Sequence, residues 1–250
     1  MHTHRFVRDG LAAALTLLIA CDDAGSPLDA VRDGPTSGAA GAEVDLELPA
    51  AGAPVEFSDL SIFLEYNATD EDLGVQIFLD AEDWDRLRAR DPLGRTVLSF
   101  RALGELGDLG LTELRFESAE PSPAEVLEAI PAGDYGFDGR TVEGGRLTGS
   151  AVLSHDLPPA PVFTPADGDV VDAASTVIAW DPIAGVAGWE VIVADEDSGA
   201  ELTVILGPDA TSLTVPAEFM AEGTEYKAEV LAVASSGNKT ITEHTFTTAN

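Results

Sequence analysis

Apolar and polar residues alternate along much of the chain after residue 55, which is the period of β-strands with one buried face. The alternation is clearest near the C-terminus, where Ile178 and Trp180 share one face and Trp189, Val191 and Val193 share another. Gly, Asp, Ser and Asn clusters separate these segments from further strands, predicted at Ala200–Leu206, Ser212–Val215, Tyr226–Ala234 and Thr240–Thr247. Short strands at this spacing predict a β-sandwich over residues 158–250.

Residues 55–157 show a weaker version of the same pattern. Strands are predicted at Val55–Tyr66, Leu73–Leu79, Trp84–Arg90, Arg95–Phe100, Leu111–Glu117, Gly133–Thr141 and Arg146–His155. Ser122 and Glu125 have capping-box spacing with Pro123 between them, which predicts a short helix to Ala129. The glycine-rich run GELGDLG, residues 104–110, is predicted to be a loop. We therefore predict an all-β chain with two tandem β-sandwich-like domains.

The N-terminus has the composition of a secretory leader. A basic stretch precedes an apolar run, Leu11–Ala20, that is too short to cross a bilayer as a helix. We interpret residues 1–20 as a signal peptide. Residues 21–54 are rich in Gly, Ala, Pro and Asp, and this composition predicts a disordered acidic linker. Cys21, the only cysteine, directly follows the apolar run and leaves no partner for a disulfide within the chain.

Leu18-Ile19-Ala20-Cys21 resembles the lipobox of bacterial lipoproteins. The resemblance implies cleavage before Cys21 and acylation there, with membrane attachment through the acyl chains. The alternatives are an ordinary signal peptide with an incidental cysteine, or a free buried thiol. The resemblance places the protein in a bacterial cell envelope, on the periplasmic face or the cell surface, and leaves open whether the inner or outer membrane holds it.

The C-terminal strands also carry a family pattern. Trp180-Asp-Pro182, Gly188-Trp189-Glu-Val191 and Glu222-Gly223-Thr224-Glu225-Tyr226 resemble a fibronectin type III domain. The resemblance implies that Tyr226 is a tyrosine corner, whose hydroxyl bonds to backbone a few residues upstream. The processed chain also resembles a group of uncharacterised bacterial secreted proteins that join this domain to an N-terminal β-rich module, and that group has no established function.

Charge changes the set of expected partners. The chain has 45 Asp and Glu residues against 13 Lys and Arg, a formal net charge of −32. Electrostatic repulsion argues against nucleic acid and against anionic lipid surfaces as partners. Acidic residues also supply the oxygen ligands that Ca²⁺ prefers, and we name Asp70 and Asp72 as the first candidates for a calcium site. Solvated acidic turns are the alternative, and we otherwise expect no cofactor.

The chain shows no nucleophile elbow, phosphate loop or histidine-rich metal motif. His155 and His244, the histidines after the leader, are interpreted as structural, and we expect no enzymatic activity.

One apolar stripe is predicted on the outside of the second sandwich. If Trp189 and its alternate neighbours face inward, Ile192, Leu231, Val233 and Ile241 face outward on the same sheet. We expect this stripe to pack on the first domain or on a partner, with scattered surface aliphatics as the alternative.

The combined interpretation is a non-enzymatic, lipid-anchored envelope protein that acts as a binding, adhesion or protein-interaction module. Its partner is an unidentified protein or glycan. The alternatives are a structural envelope scaffold and a calcium-dependent or carbohydrate-binding module.

Overall fold

The computed structural model describes residues 54–250. The predicted signal peptide, Cys21 and nearly all of the predicted linker lie outside the described residues, so acylation of Cys21 stays a prediction. We refer to residues 54–157 as the first module and to residues 158–250 as the second module. Among residues 54–250, no helix is long and apolar enough to span a membrane.

The first module is built from antiparallel strands that follow the alternating pattern. Its elements are β1 (Pro54–Val55), β2 (Asp59–Asn67), β3 (Asp72–Arg90), β4 (Thr96–Arg101), α1 (Gly104–Leu109), β5 (Leu111–Glu117), α2 (Pro123–Ala129), β6 (Gly133–Thr141) and β7 (Arg146–Leu153).

Strand β3 organises the first module. Two strands were expected between Leu73 and Arg90, but the chain continues as one strand through irregular pairing between Asp80 and Arg86. The first half of β3 pairs with β2 and β5, and the second half pairs with β4 and β6. Irregular pairing of this kind bends a strand, and β3 thereby contributes to both halves of the module. Its apolar residues are buried in the two core clusters of this module, on alternate positions from Leu73 to Ala81 and then, past the irregular pairing, at Trp84, Leu87 and Ala89.

The segment 104–110 corrects one prediction. The sequence indicated a loop because glycine weakens helices by about 1 kcal/mol per residue, but the structure has the short helix α1, Gly104–Leu109. Gly107 packs so closely that a Cβ there would lie 2.8 Å from the carbonyl oxygen of Ala102. The glycine that argued against a helix is therefore what lets this turn lie against the chain before it. The predicted second helix is confirmed as α2, and the Glu125 carboxylate accepts hydrogen bonds from the Ser122 N–H at 3.1 Å and from the Ser122 hydroxyl at 2.6 Å.

The second module is a two-sheet sandwich. Its strands are β8 (Phe163–Thr164), β9 (Val170–Val171), β10 (Val177–Trp180), β11 (Val186–Asp195), β12 (Ala200–Leu206), β13 (Ser212–Thr214), β14 (Glu225–Ala234) and β15 (Lys239–Thr248). One sheet has the order β13-β10-β8, and the other contains β12-β11-β14-β15. Trp180 and Trp189 meet between the sheets with ring centroids 5.5 Å apart. Tyr226 and Phe246 stack beside them at 6.0 Å.

The two modules share a sheet. Strand β15 of the second module pairs in parallel with β2 of the first, which joins Lys239 to Glu65 and Ile241 to Asn67 in register. The result is a 12-stranded sheet that runs through both modules. Each module nevertheless keeps its own buried core. The predicted fold class, all-β with two sandwich-like parts, is confirmed.

Candidate interaction surfaces

A buried asparagine makes three hydrogen bonds at the junction between the modules. Asn238 is fully buried in the turn between β14 and β15. Its side-chain oxygen accepts a hydrogen bond from the Leu64 N–H at 2.8 Å, and its Nδ2 donates to the carbonyls of Ser154 at 2.9 Å and Asp156 at 2.8 Å. Nearby, the Thr240 hydroxyl donates to the Pro158 carbonyl at 2.7 Å. A turn of the second module thus satisfies backbone groups of the first module.

The predicted apolar stripe lies at this junction. Trp189 and its alternate neighbours point into the sandwich core, which leaves the four stripe residues on the outer face. Leu231 and Ile241 are paired across β14 and β15 and are only 2% and 1% exposed. Ile192 and Val233 are half-buried on the same face. The four side chains therefore differ in access, and the two half-buried residues are the ones that a partner could reach.

Charged side chains surround the stripe. Lys227 Nζ lies 2.8 Å from Glu229 and 3.3 Å from Glu243. Lys239 Nζ lies 2.8 Å from Glu190 and 3.7 Å from Glu65, which belongs to the first module. Burial lowers the pKa of Lys227, but the neighbouring glutamates outweigh burial and raise its pKa above the usual value of 10.5. Lys227 therefore remains charged at neutral pH, and Lys239 lies between carboxylates of the two modules.

The proposed calcium ligands Asp70 and Asp72 do not belong to a group of three converging carboxylates within residues 54–250. Asp70 accepts a hydrogen bond from Asn67 Nδ2 at 3.3 Å, and Asp72 follows at the start of β3. Within residues 54–250, the three carboxylates that converge to within 4.8 Å belong to a different set: Glu65, Glu117 and Glu120. The Lys239 ammonium lies beside Glu65, so a cation of the protein already balances part of this charge. Calcium binding at Asp70 and Asp72 stays a prediction.

Both histidines of the described chain contact backbone carbonyls. His155 Nε2 lies 2.8 Å from the Ile130 carbonyl, and His244 Nδ1 lies 2.8 Å from the Pro165 carbonyl. His244 also stacks on Phe163 at 4.1 Å. These contacts give each ring a role in holding loops against the sheets.

A largely apolar cavity of about 240 Å³, partly open to solvent, lies in the first module, and sequence patterns did not predict it. Ile62, Val75 and Ile77 form its sheet side, and Val126 of α2 lies on the opposite side. The Ser118 hydroxyl at its wall accepts from the Val75 N–H and donates to the Ala119 carbonyl. The Tyr135 hydroxyl donates to the Pro131 carbonyl at 2.9 Å. These wall hydroxyls are thus already engaged within the protein.

The tyrosine at the start of β14 makes the bonds that the sequence implied. The Tyr226 hydroxyl donates to the Phe219 carbonyl at 3.1 Å and accepts from the Ala221 N–H at 2.8 Å. Trp180 Nε1 donates to the Ala210 carbonyl at 2.9 Å, so the indole in the core is also satisfied. With the two-sheet order described above, this corner is the arrangement expected of a fibronectin type III domain.

Comparisons with solved structures list proteins that contain fibronectin type III domains among those similar to this chain. A fibronectin type III domain of human collagen α-1(XX) is 21% identical and covers 38% of this chain and 90% of its own, with a TM-score of 0.31. A segment of chicken tenascin with two fibronectin type III domains is 13% identical. The match covers 76% of this chain and 95% of that segment, with a TM-score of 0.30. A solved chain from a 1.5-MDa bacterial ice-binding adhesin is 14% identical. The match covers 80% of this chain and 67% of that solved chain, with a TM-score of 0.28.

No protein-family model matches the chain. No curated protein matches it either.

Proposed function

We propose that the protein is a non-enzymatic cell-envelope module that is anchored by acyl chains at Cys21 and binds a protein or glycan partner through its sheet surfaces. The observation that supports this proposal best is the junction. Asn238, the β15–β2 pairing and the Lys239 bridge hold two sandwiches as one extended, ordered face. Binding to a preordered face avoids the entropy cost of ordering two mobile domains.

The proposed acyl anchor at Cys21 would place the protein at a membrane, but it does not identify the binding partner. Two or more acyl chains give stable membrane attachment, since each buried CH₂ contributes about 0.8 kcal/mol. The acidic linker after Cys21 would hold the folded modules away from an anionic surface, because like charges repel. A module held in this way meets partners outside the membrane.

The anchor is tested with the full-length gene expressed in a bacterial host. Wild type is compared with Cys21→Ser and with Ser26→Ala, a conservative control in the linker. We expect wild type and Ser26→Ala to incorporate an alkyne-tagged palmitate and to sediment with membranes. Cys21→Ser should do neither. Equal labelling of all three proteins, or an unmodified thiol at Cys21 in the native protein, would contradict the anchor.

The binding face is tested by adhesion of the same cells to surfaces coated with envelope proteins or glycans. Val233→Glu places a charge in the half-buried part of the stripe. Val177→Glu makes the same change on the opposite sheet, where Val177 is 43% exposed. We expect Val233→Glu to reduce adhesion at least about tenfold, because an unpaired charge in an interface costs more than about 1.4 kcal/mol. Equal adhesion by both variants, and by cells without the protein, would favour the structural scaffold instead.

A further inference from the structure

Four arginines form a line across one face of the first module. Arg101 of β4 lies directly opposite Arg86 of β3, Arg86 lies opposite Arg140 of β6, and Arg140 lies opposite Arg146 of β7. Directly opposed residues of antiparallel strands point to the same face. Neighbouring strands are ~4.8 Å apart, so this arginine row extends over ~14 Å.

The row is only partly neutralised by the protein. Asp85 holds Arg140 through both of its carboxylate oxygens. Arg88 and Arg90, which share the face with Arg86, both bind Asp138, at 3.0 and 2.9 Å. Within residues 54–250, Arg86, Arg101 and Arg146 have no ion pair with a carboxylate, and Arg86 Nε is buried without a hydrogen-bond partner.

Such an arrangement is costly for an unliganded sheet. Like charges directly opposite each other on neighbouring strands are destabilising. The ends of the row, Arg101 and Arg146, are exposed, so an anion can reach them from solvent. An anion lying along the row would relieve the repulsion and supply acceptors to unpaired guanidinium groups.

Most of the basic residues belong to the first module. Eight of the 13 Lys and Arg residues lie between Arg86 and Arg146, in a stretch that also has 11 Asp and Glu residues. The cations of the second module, Lys227 and Lys239, are both bound to glutamates. The local positive charge of the row therefore comes from Arg86, Arg101 and Arg146, its members without an ion pair among residues 54–250.

We propose that the arginine row binds a linear acidic polysaccharide through the sulfate or carboxylate groups of successive sugars. Guanidinium groups match the oxygen pairs of such anions with parallel hydrogen bonds. The choice of a linear glycan follows from screening. Charges more than ~8 Å away are largely screened at physiological salt, so a narrow chain lying on the row escapes most of the surrounding acidic groups. A broad anionic surface such as a bilayer cannot avoid them.

The inference deepens the proposed binding function, but its test uses purified protein and is independent of cell adhesion. The full mature chain, kept in detergent micelles, is titrated with fluorescein-labelled dextran sulfate, with uncharged dextran of equal length as the control ligand. The variants are Arg101→Gln, Arg146→Gln and the double variant, all at exposed ends of the row. Arg115→Gln is the matched control, since Arg115 is exposed, paired with Glu113 and outside the row. Circular dichroism establishes that every variant is folded.

We expect wild type to bind dextran sulfate and not dextran. Each row variant should lose about tenfold in affinity, because a charge-assisted bond is removed. The slope of log affinity against log salt should fall by ~0.7 for each arginine lost. Arg115→Gln should stay within about twofold of wild type.

Three outcomes would overturn the proposal: no binding of dextran sulfate by folded wild type, equal losses in Arg115→Gln and the row variants, or tighter binding to single-stranded oligonucleotides than to the polysaccharide. If the folded protein does not bind dextran sulfate but Val233→Glu still reduces cell adhesion, the proposed binding function holds and the polysaccharide proposal is wrong. If the protein binds dextran sulfate through the row but no variant changes cell adhesion, the polysaccharide proposal holds and the adhesion function is wrong.

Discussion

Replacing Asn238 with alanine tests how the two modules are joined. The change removes three hydrogen bonds, to Leu64 N–H and to the carbonyls of Ser154 and Asp156, at 2.8 to 2.9 Å. Leu64 and Asn238 are buried, so the Leu64 N–H loses its partner in a site closed to solvent, whereas the Ser154 and Asp156 carbonyls are only partly buried and water can replace Asn238 there. A buried polar group left unsatisfied costs ~1–3 kcal/mol. We therefore expect the free energy of unfolding to fall by about 2 kcal/mol.

The assay is urea unfolding followed by tryptophan fluorescence and far-UV circular dichroism. The wild type should unfold in one transition that coincides for both probes, because the shared sheet couples the modules. Asn250→Ala is the matched control, since Asn250 is an exposed asparagine of the same module. It should change stability by less than about 0.5 kcal/mol. A loss for Asn238→Ala as small as that of the control would refute the reasoning.

Four further changes have defined outcomes. Tyr226→Phe removes two hydrogen bonds to backbone and should lower the free energy of unfolding in urea by ~1–2 kcal/mol; no loss would contradict the corner's role. Gly139→Ala should lower the melting temperature, since its Cβ would lie 2.6 Å from the Arg86 carbonyl, and an unchanged temperature would show a looser β3–β6 contact. Val75→Ile adds one methylene beside the 240 Å³ cavity and should raise the free energy of unfolding by up to ~0.8 kcal/mol; destabilisation would mean that the cavity cannot accept it. Burial raises the pKa of the Asp91 carboxyl, but the hydrogen bonds and charge of Arg95 outweigh burial and hold the pKa below 3.8. The stability that depends on the ionised carboxylate is therefore full above pH 3.8 and is lost as the pH falls below it. Between about pH 5 and about pH 2 the wild type should lose more stability than Asp91→Asn, and parallel acid profiles of the two proteins would contradict this.

The second module was predictable because its signals are local. Trp189, Val191 and Val193 alternate with polar residues on one strand, and a strand with one buried face leaves that pattern in the sequence. The Tyr226 corner depends on contacts within seven residues, so its spacing is also visible in the sequence. The first module was predicted at the level of strands and α2, although the continuity of β3 depends on irregular pairing that alternation does not reveal.

The junction and the arginine row could not be predicted in the same way. The pairing of β15 with β2 joins residues more than 170 positions apart, and parallel pairing between distant segments leaves no local signal. Asn238 looked like an ordinary turn residue, since asparagine is common in turns, and its burial depends on the first module. The arginine row requires the register of four strands. The net charge of −32 also concealed it, because a total says nothing about where the few cations lie.

The central structural claim is that the two modules share one ordered sheet, and amide hydrogen exchange tests it most directly. The Ala68 N–H donates to the Ile241 carbonyl at 2.9 Å across the junction, and the Leu64 N–H donates to Asn238. We predict that both amides exchange as slowly as those of Val191 and Val230 in the core of the second module, and that Asn238→Ala accelerates both. Exchange of the junction amides near the rate of an unstructured peptide, while the core amides stay protected, would contradict the shared sheet.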